Sequence, residues 1–413
     1  MRTLRRLWSL PGAGVVTGAS DDDPSGIATY SVTGAQTGYS LLWTSVLTLP
    51  LNAAIQEMCA RIGLVTGGGL ATVLRRHYPR PVLMVLVLLL FVANTVNIGA
   101  DIAAVAAGID LLTGIPQDAL VVPVGIGVAA TEVLVPYRVF ATYLKFLTLV
   151  LFAYVIDAFV AGPDWGRALR STLFPVFHVD ATFVTTLVAI LGTTISPYLF
   201  FWETSEEVEE MHRRHVLPGD EPELLRARVD TDIGMFLANF VFYFIVLTTA
   251  ATLYPAGIHK IATARDAAEA LRPLAGDGAA ALFAIGLIGT GLLAIPVLAG
   301  SAAYAVAEVF DWHEGLESKP SEAPQFYAVI ALATVIGVVI ALSGMGAIRA
   351  LFYAAVVNGV ISPMLLVAII VVSNDGRVLG EHRNGVLSNV LGVATVGVMG
   401  CAAIAMAVLY VVG

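Results

Sequence analysis

Charge is what this sequence has least of. Only 13% of its 413 residues are Asp, Glu, Lys or Arg, about half the share a soluble domain carries. Acidic groups outnumber basic ones, for a net charge of −9. That scarcity excludes a soluble enzyme and leaves no basic face for nucleic acid. Cysteine is nearly absent too: Cys59 and Cys401 lie far apart in apolar stretches, so neither a disulfide framework nor a zinc cluster is indicated. Missing as well are His-Glu-x-x-His, Gly-x-Ser-x-Gly and a phosphate loop ending in Gly-Lys-Ser/Thr. No enzyme signature remains, no cofactor is implied, and nothing points to direct ATP drive.

What the chain has instead is apolar length. Hydrophobic residues make up 58% of it, the mean hydropathy is +0.84, and the apolar runs reach the ~20 residues that span a bilayer. Eleven spans can be placed, at 11–35, 39–60, 83–109, 119–135, 139–162, 181–207, 232–254, 279–307, 326–343, 347–373 and 388–411. The expected fold is therefore an all-α polytopic membrane protein solvated by lipid.

The few cations set the orientation. Counted by alternate loops, one side holds Arg2, Arg5, Arg6, Arg61, Arg75, Arg76, Arg80, Arg138, Arg213, Arg214, Arg226, Arg228, Lys319, Arg377 and Arg383. The other holds Arg167, Arg170, Lys260, Arg265, Arg272 and Arg349, while Lys145 falls within a span. The excess places the N-terminus in the cytoplasm, and an odd number of spans leaves Gly413 outside. The first span is not a signal peptide: Pro11-Gly12 interrupts its apolar core, and three aspartates follow in place of a cleavage site.

Two spans contain residues that helices avoid. The first carries Asp23-Pro24-Ser25-Gly26 and the sixth Gly192-Thr193-Thr194-Ile195-Ser196-Pro197. Either these are ordinary proline kinks, or they are unwound segments lining a cavity. The breaks fall at equivalent places if 11–162 and 181–373 are two five-span repeats of opposite orientation, with 388–411 as an extra helix. That is the pattern of a transporter whose site lies at the breaks. Asp23 favours this reading, because a carboxylate at mid-membrane marks an ion path or a partnered charge. Asp21 and Asp22 read either as solvated residues at a helix end or as groups that attract ions.

The stretch from Gly18 to Gly26, followed by Gly34-Ala35-Gln36-Thr37-Gly38-Tyr39-Ser40-Leu41-Leu42-Trp43, resembles the first span and following turn of the Nramp divalent-metal transporters. Gln56, Arg61, Ile62, Gly63 and Gly67 to Leu70 resemble the end of that family's second span. The resemblance implies a LeuT-type fold: two inverted five-helix repeats plus an eleventh helix, with helices 1 and 6 broken at mid-membrane. It also implies uptake of transition metals such as manganese and iron into the cytosol, usually with protons, across the plasma (inner) membrane.

The family's metal site uses Asp-Pro-Gly-Asn and Met-Pro-His motifs; here the positions read Asp23-Pro24-Ser25-Gly26 and Ser196-Pro197-Tyr198. Asp23 keeps the carboxylate, Gly26 replaces the asparagine and Ser196 replaces the methionine. Thr193 stands where the family offers a main-chain carbonyl, and the backbone around Ser20, Gly26 and Thr193 would complete a shell with water. Carboxylate, hydroxyl, carbonyl and water are hard ligands that suit magnesium, calcium and manganese, whereas the lost thioether favours transition metals. This direction of change is similar to the Nramp-related magnesium transporters, a divergent branch.

Proton coupling is expected to be weak or absent. Asp101 is retained in the third span, but Ala104 replaces the family's glutamate, and Tyr198 and Glu203 stand at the positions of its sixth-span histidines. Asp101 reads equally as a relay and as a tie between helices. Glu203, Glu206, Glu207 and Glu210 share a helix face, either an acidic vestibule or a solvated helix end. Asn358 reads as an amide ligand or as an interhelical hydrogen bond, and the glycines of the eighth span as packing positions. The expected function is thus monomeric uptake of manganese or magnesium, with iron and calcium as further candidates. The rivals are a carrier of an amino acid or other organic ion on the same fold, and a metal sensor that does not transport.

Overall fold

The computed structural model describes residues 13–134, 149–178, 180–316 and 318–412. Arg2, Arg5, Arg6, Pro11, Gly12, Arg138, Lys145, Gly413 and the opening 139–148 of the expected fifth span lie outside them. The described residues contain helices and no strands. In chain order the longer helices are α1 (Ala13–Asp21), α2 (Pro24–Thr37), α3 (Trp43–Thr66), α4 (Leu70–His77), α5 (Arg80–Thr113), α6 (Gln117–Leu134), α7 (Phe152–Val160) and α8 (Trp165–Leu173). They continue with α9 (Ala181–Thr194), α10 (Pro197–Arg213), α11 (Glu221–Thr252), α12 (Ala279–Phe310), α13 (Pro324–Ala341), α14 (Ala347–Ser373) and α15 (Val386–Val412).

Among the described residues, eight helices are long and apolar enough to cross a membrane, nine when the pair α7–α8, bent by 120°, is taken as one span. The expected first and second spans do not meet that test, for a physical reason. The first is split into pieces of 9 and 14 residues, and α3 carries Thr44, Ser45, Thr48, Asn52 and Gln56, all buried. These helices can afford polar side chains because protein, not lipid, surrounds them. The segments otherwise follow the expected order.

The broken helices occupy the centre of the bundle. In the apolar stretch of α9–α10, 94% of residues are buried, against 17% in α6 and 22% in α15, which places the last two at the lipid-facing periphery. Close backbone contact holds the centre together. A Cβ on Gly192 of α9 would come within 2.1 Å of the Ala355 carbonyl of α14, and one on Gly359 of α14 within 2.4 Å of the Val188 carbonyl. Gly18 of α1 meets Gly234 of α11 just as closely, at 2.4 Å. Apolar transfer does not drive helices together inside lipid, so such small-residue crossings carry much of the association.

Gly192→Ala is expected to push α9 from α14 and to destabilise the protein by about 1–3 kcal/mol, read as a lower unfolding midpoint in detergent. Gly397→Ala, where a Cβ meets nothing within 4 Å, should leave the midpoint unchanged.

Candidate metal centre

The first break consists of Asp22 and Asp23, between α1 and α2. Asp23 has extended backbone angles and is the N-cap of α2, with Pro24 at the first helical turn. Proline suits that position because the N–H it lacks would have no helical partner there. The Asp23 carboxylate takes donors from three directions. The Ser25 hydroxyl and the Gly26 N–H both reach Oδ1, at 2.6 and 2.7 Å, and the Asn97 amide of α5 donates to Oδ2 at 3.0 Å. The positive end of the α2 dipole adds to them. Asp23 is 1% exposed.

The second break is narrower than the sequence suggests. Gly192, Thr193 and Thr194 remain in α9, and only Ile195 and Ser196 separate it from α10, with Pro197 again in the first turn. Ser196 turns its hydroxyl back onto the Gly192 and Thr193 carbonyls, at 2.9 and 2.8 Å. Ser362 of α14 donates to the Ile195 carbonyl at 2.9 Å. The carbonyls freed by the break are thus met by hydroxyls, as buried backbone acceptors require.

Hydroxyl contacts join the two breaks. The Ser25 and Thr193 side chains meet at 3.0 Å, Tyr30 and Thr194 at 3.2 Å, and the Tyr198 hydroxyl donates to the Ser20 carbonyl at 2.8 Å. Gly26 lies in the first turn of α2, so it offers Asp23 an N–H. Its missing side chain leaves room: a Cβ would be 3.3 Å from both the Tyr30 ring and the Asp21 carbonyl, and 3.6 Å from the Thr193 hydroxyl. Asp23, Gly26, Thr193, Ser20 and Tyr198 therefore come together, with Ser196 beside them but engaged with its own helix.

Other candidates lie elsewhere. Glu203 of α10 accepts from Thr17 of α1 and, at 3.1 Å, from Thr231 of α11, which clasps three helices on the arginine-rich side of the breaks. Asn358 is buried in α14, and neither amide atom has a hydrogen-bond partner among the described residues. Asp101 is fully buried on α5, and its carboxylate oxygens have no hydrogen-bond partner among the described residues. Asp21 and Asp22 are buried rather than solvated, Asp21 facing the Asn52 amide at 3.4 Å. Glu203 and Glu207 are buried as well, so a solvated helix end does not describe them. Glu209 accepts from Tyr304 and from the Leu316 N–H, and Glu210 pairs with Arg214 at 3.5 Å.

Sequence reasoning missed Asn97, Asn52 and Ser362 as partners of the breaks. For Asn97 a signal existed: it sits four residues before Asp101, on the same helix face.

Residues 14–409 match the Nramp family, described as natural resistance-associated macrophage protein-like. The chain is 29% identical over 295 residues to the divalent metal cation transporter MntH of Mesorhizobium japonicum, a match covering 70% of this chain and 65% of that protein. It is 26% identical over 380 residues to the divalent metal cation transporter MntH of Aeromonas hydrophila, covering 90% and 88%. Among solved structures, a manganese transporter of Eremococcus coleocola superposes with a TM-score of 0.79 at 17% identity, covering 98% of this chain and 87% of that one. Mhp1, a nucleobase-cation-symport-1 family transporter in a closed conformation, gives 0.58 at 12% identity, covering 97% and 93%. The fold is the LeuT-type arrangement, with its first and sixth helices broken.

Ser25→Ala removes a donor to Asp23 and one bridge between the breaks, and is expected to cost about 1–3 kcal/mol. Its unfolding midpoint in detergent should fall well below that of Thr185→Val, where the buried hydroxyl removed has no partner among the described residues.

Proposed function

The chain belongs to the Nramp family, and from that premise we propose that it is a divalent metal cation transporter that works by alternating access about its two broken helices. One observation carries the reading: a buried carboxylate, Asp23, stands at a helix break, is held by neutral donors only, and is surrounded by hydroxyl and carbonyl oxygens. An uncompensated carboxylate there repels anionic solutes and attracts a cation. The printed names of the curated relatives, divalent metal cation transporters, agree with that substrate class.

Asp23 supplies the principal charge. The carbonyls of Ser20 and Thr193 and the hydroxyl of Ser196 each keep a lone pair free beside their present hydrogen bond, and with water they complete an all-oxygen shell. Gly26 leaves space for that water. No thioether stands at either break, so manganese and magnesium are both accepted and selectivity is relaxed. Of the groups left for proton transfer, Tyr198 donates to Ser20 and Glu203 is clasped by Thr17 and Thr231, which leaves Asp101 with Ala104 in place of the family's glutamate. Proton coupling is accordingly weak or absent. The arginine-rich side faces the cytosol across the inner membrane, and a single chain holds the complete site.

Flux into proteoliposomes tests this directly. Manganese, magnesium and calcium uptake should be saturable in the parent protein and fall by at least about 100-fold in Asp23→Ala, more than loss of an outer-shell group costs. Ser196→Met should shift preference toward manganese. Undiminished uptake in Asp23→Ala, or saturable binding without flux in the parent, would sink the reading, and a strong internal acidification during uptake would refute the weak coupling.

A further inference from the structure

The site proposed above contains one carboxylate, and a second lies one helix away. On α5, Asn94, Asn97 and Asp101 fall at i, i+3 and i+7, one face of a helix. That face is pressed against the first break and against α12. Asn94 donates to the Leu298 carbonyl at 3.0 Å, and Asn97 donates to Asp23 at 3.0 Å. Beside Asp101, a Cβ on Gly291 of α12 would lie 3.6 Å from the Asp101 carbonyl and 3.2 Å from the Pro24 ring. The Asp101 backbone and the Pro24 ring at the break thus flank the same glycine of α12.

Three oxygens on this face lack a hydrogen-bond partner among the described residues: Asn97 Oδ1 and both carboxylate oxygens of Asp101. Both residues are 0% exposed. The orientation of the Asn97 amide is set by chemistry, because an ionised Asp23 can only accept and so faces the NH₂ group, leaving Oδ1 as the free atom. A buried carboxylate without a donor is strongly unfavourable. A tie between helices does not explain Asp101, since no donor among the described residues reaches it. A proton would cancel its charge and could be shared with Asn97 Oδ1, but it would leave the second carboxylate oxygen without a partner. A single cation could serve all three oxygens at once.

We propose that Asp101 and Asn97 Oδ1 are ligands of the transported cation, which is held between the first break and α5 by two carboxylates. The inference rests on the transporter reading above and moves the ion's ligand set from the two breaks toward the first break and the third span. Asn97 acts twice, orienting Asp23 through its NH₂ group and binding the ion through its carbonyl oxygen. The donors are all hard oxygens, so the ions are of the manganese, magnesium and calcium class.

The test is calorimetric titration of the purified full chain with Mn²⁺, together with its unfolding midpoint with and without the metal. Asp101→Asn should bind Mn²⁺ at least about tenfold more weakly than the parent. It should also raise the metal-free midpoint, because it removes an unpartnered charge, and shrink the upshift that Mn²⁺ produces. Asn97→Ala should weaken Mn²⁺ by a similar factor, and Asp101→Ser provides the reading for Asp101 if Asp101→Asn does not fold. If Asp101→Asn binds Mn²⁺ within about twofold of the parent while Asp23→Ala does not bind, Asp101 is not a ligand and the inference falls alone. A lower metal-free midpoint with unchanged affinity would likewise overturn it in favour of a structural tie. A parent protein that binds no Mn²⁺ would overturn the transporter reading, and this inference with it.

Discussion

Everything in the centre of this protein follows from keeping one ionised carboxylate out of water. Asp23 is held by a hydroxyl, a backbone N–H and an amide, none of them charged. Two of those donors are available only because α1 stops and α2 starts at this residue. A continuous helix would have committed the Gly26 N–H to a carbonyl one turn back; at an N-terminus it is free, and the helix dipole adds its positive end. The break is thus the solvation shell of the carboxylate, built from backbone. Each break in turn exposes carbonyls, and those need a surrounding bundle rich in hydroxyls, which Tyr198 supplies at the first and Ser196 and Ser362 at the second.

That dependence explains which features could be read from the sequence. The order of the apolar segments, both breaks and Asp23 were legible, because proline and glycine inside an apolar run have local meaning. The polarity of α3 was legible but not its consequence, since whether Asn52 or Gln56 meets lipid or protein depends on neighbours distant in sequence. The burial of Asp21 and Asp22 was hidden for the same reason: three aspartates in a row beside a helix end look solvated until α11 is packed over α1 through Gly18 and Gly234. Ser196 was legible as a residue of the second break, but the two carbonyls its hydroxyl bonds in the turn it has just left were not. Asn97 needed the approach of α5 to the break, which no local pattern encodes.

Charge is divided sharply along the bundle. At the arginine-rich end, acids and bases are interlaced: Glu57 lies 3.5 Å from Arg61 and 3.7 Å from Arg228, while Arg226 contacts Glu210 and Glu223 at 2.9 and 2.6 Å. Glu308 of α12 accepts from the Thr72 N–H in α4 and from Ser205 in α10, joining three helices there. At the breaks no such compensation exists among the described residues: Asp21 and Asp23 are met by neutral donors, and Asp22 and Asp101 are buried beside them. The interlaced end is self-sufficient in charge, and the centre is not. In the function proposed above, a cation from outside the chain completes it.

The contacts between the two breaks set the energy scale on which that completion acts. Ser25 with Thr193, Tyr30 with Thr194 and Tyr198 with Ser20 are all neutral, and each is worth about 0.5–1.5 kcal/mol net. Their sum is comparable to the few kcal/mol that separate interconverting conformations of one protein. A charged bridge at the same place would have been a bolt. Hydroxyls make a clasp that thermal motion can undo and remake, as the proposed alternating access requires.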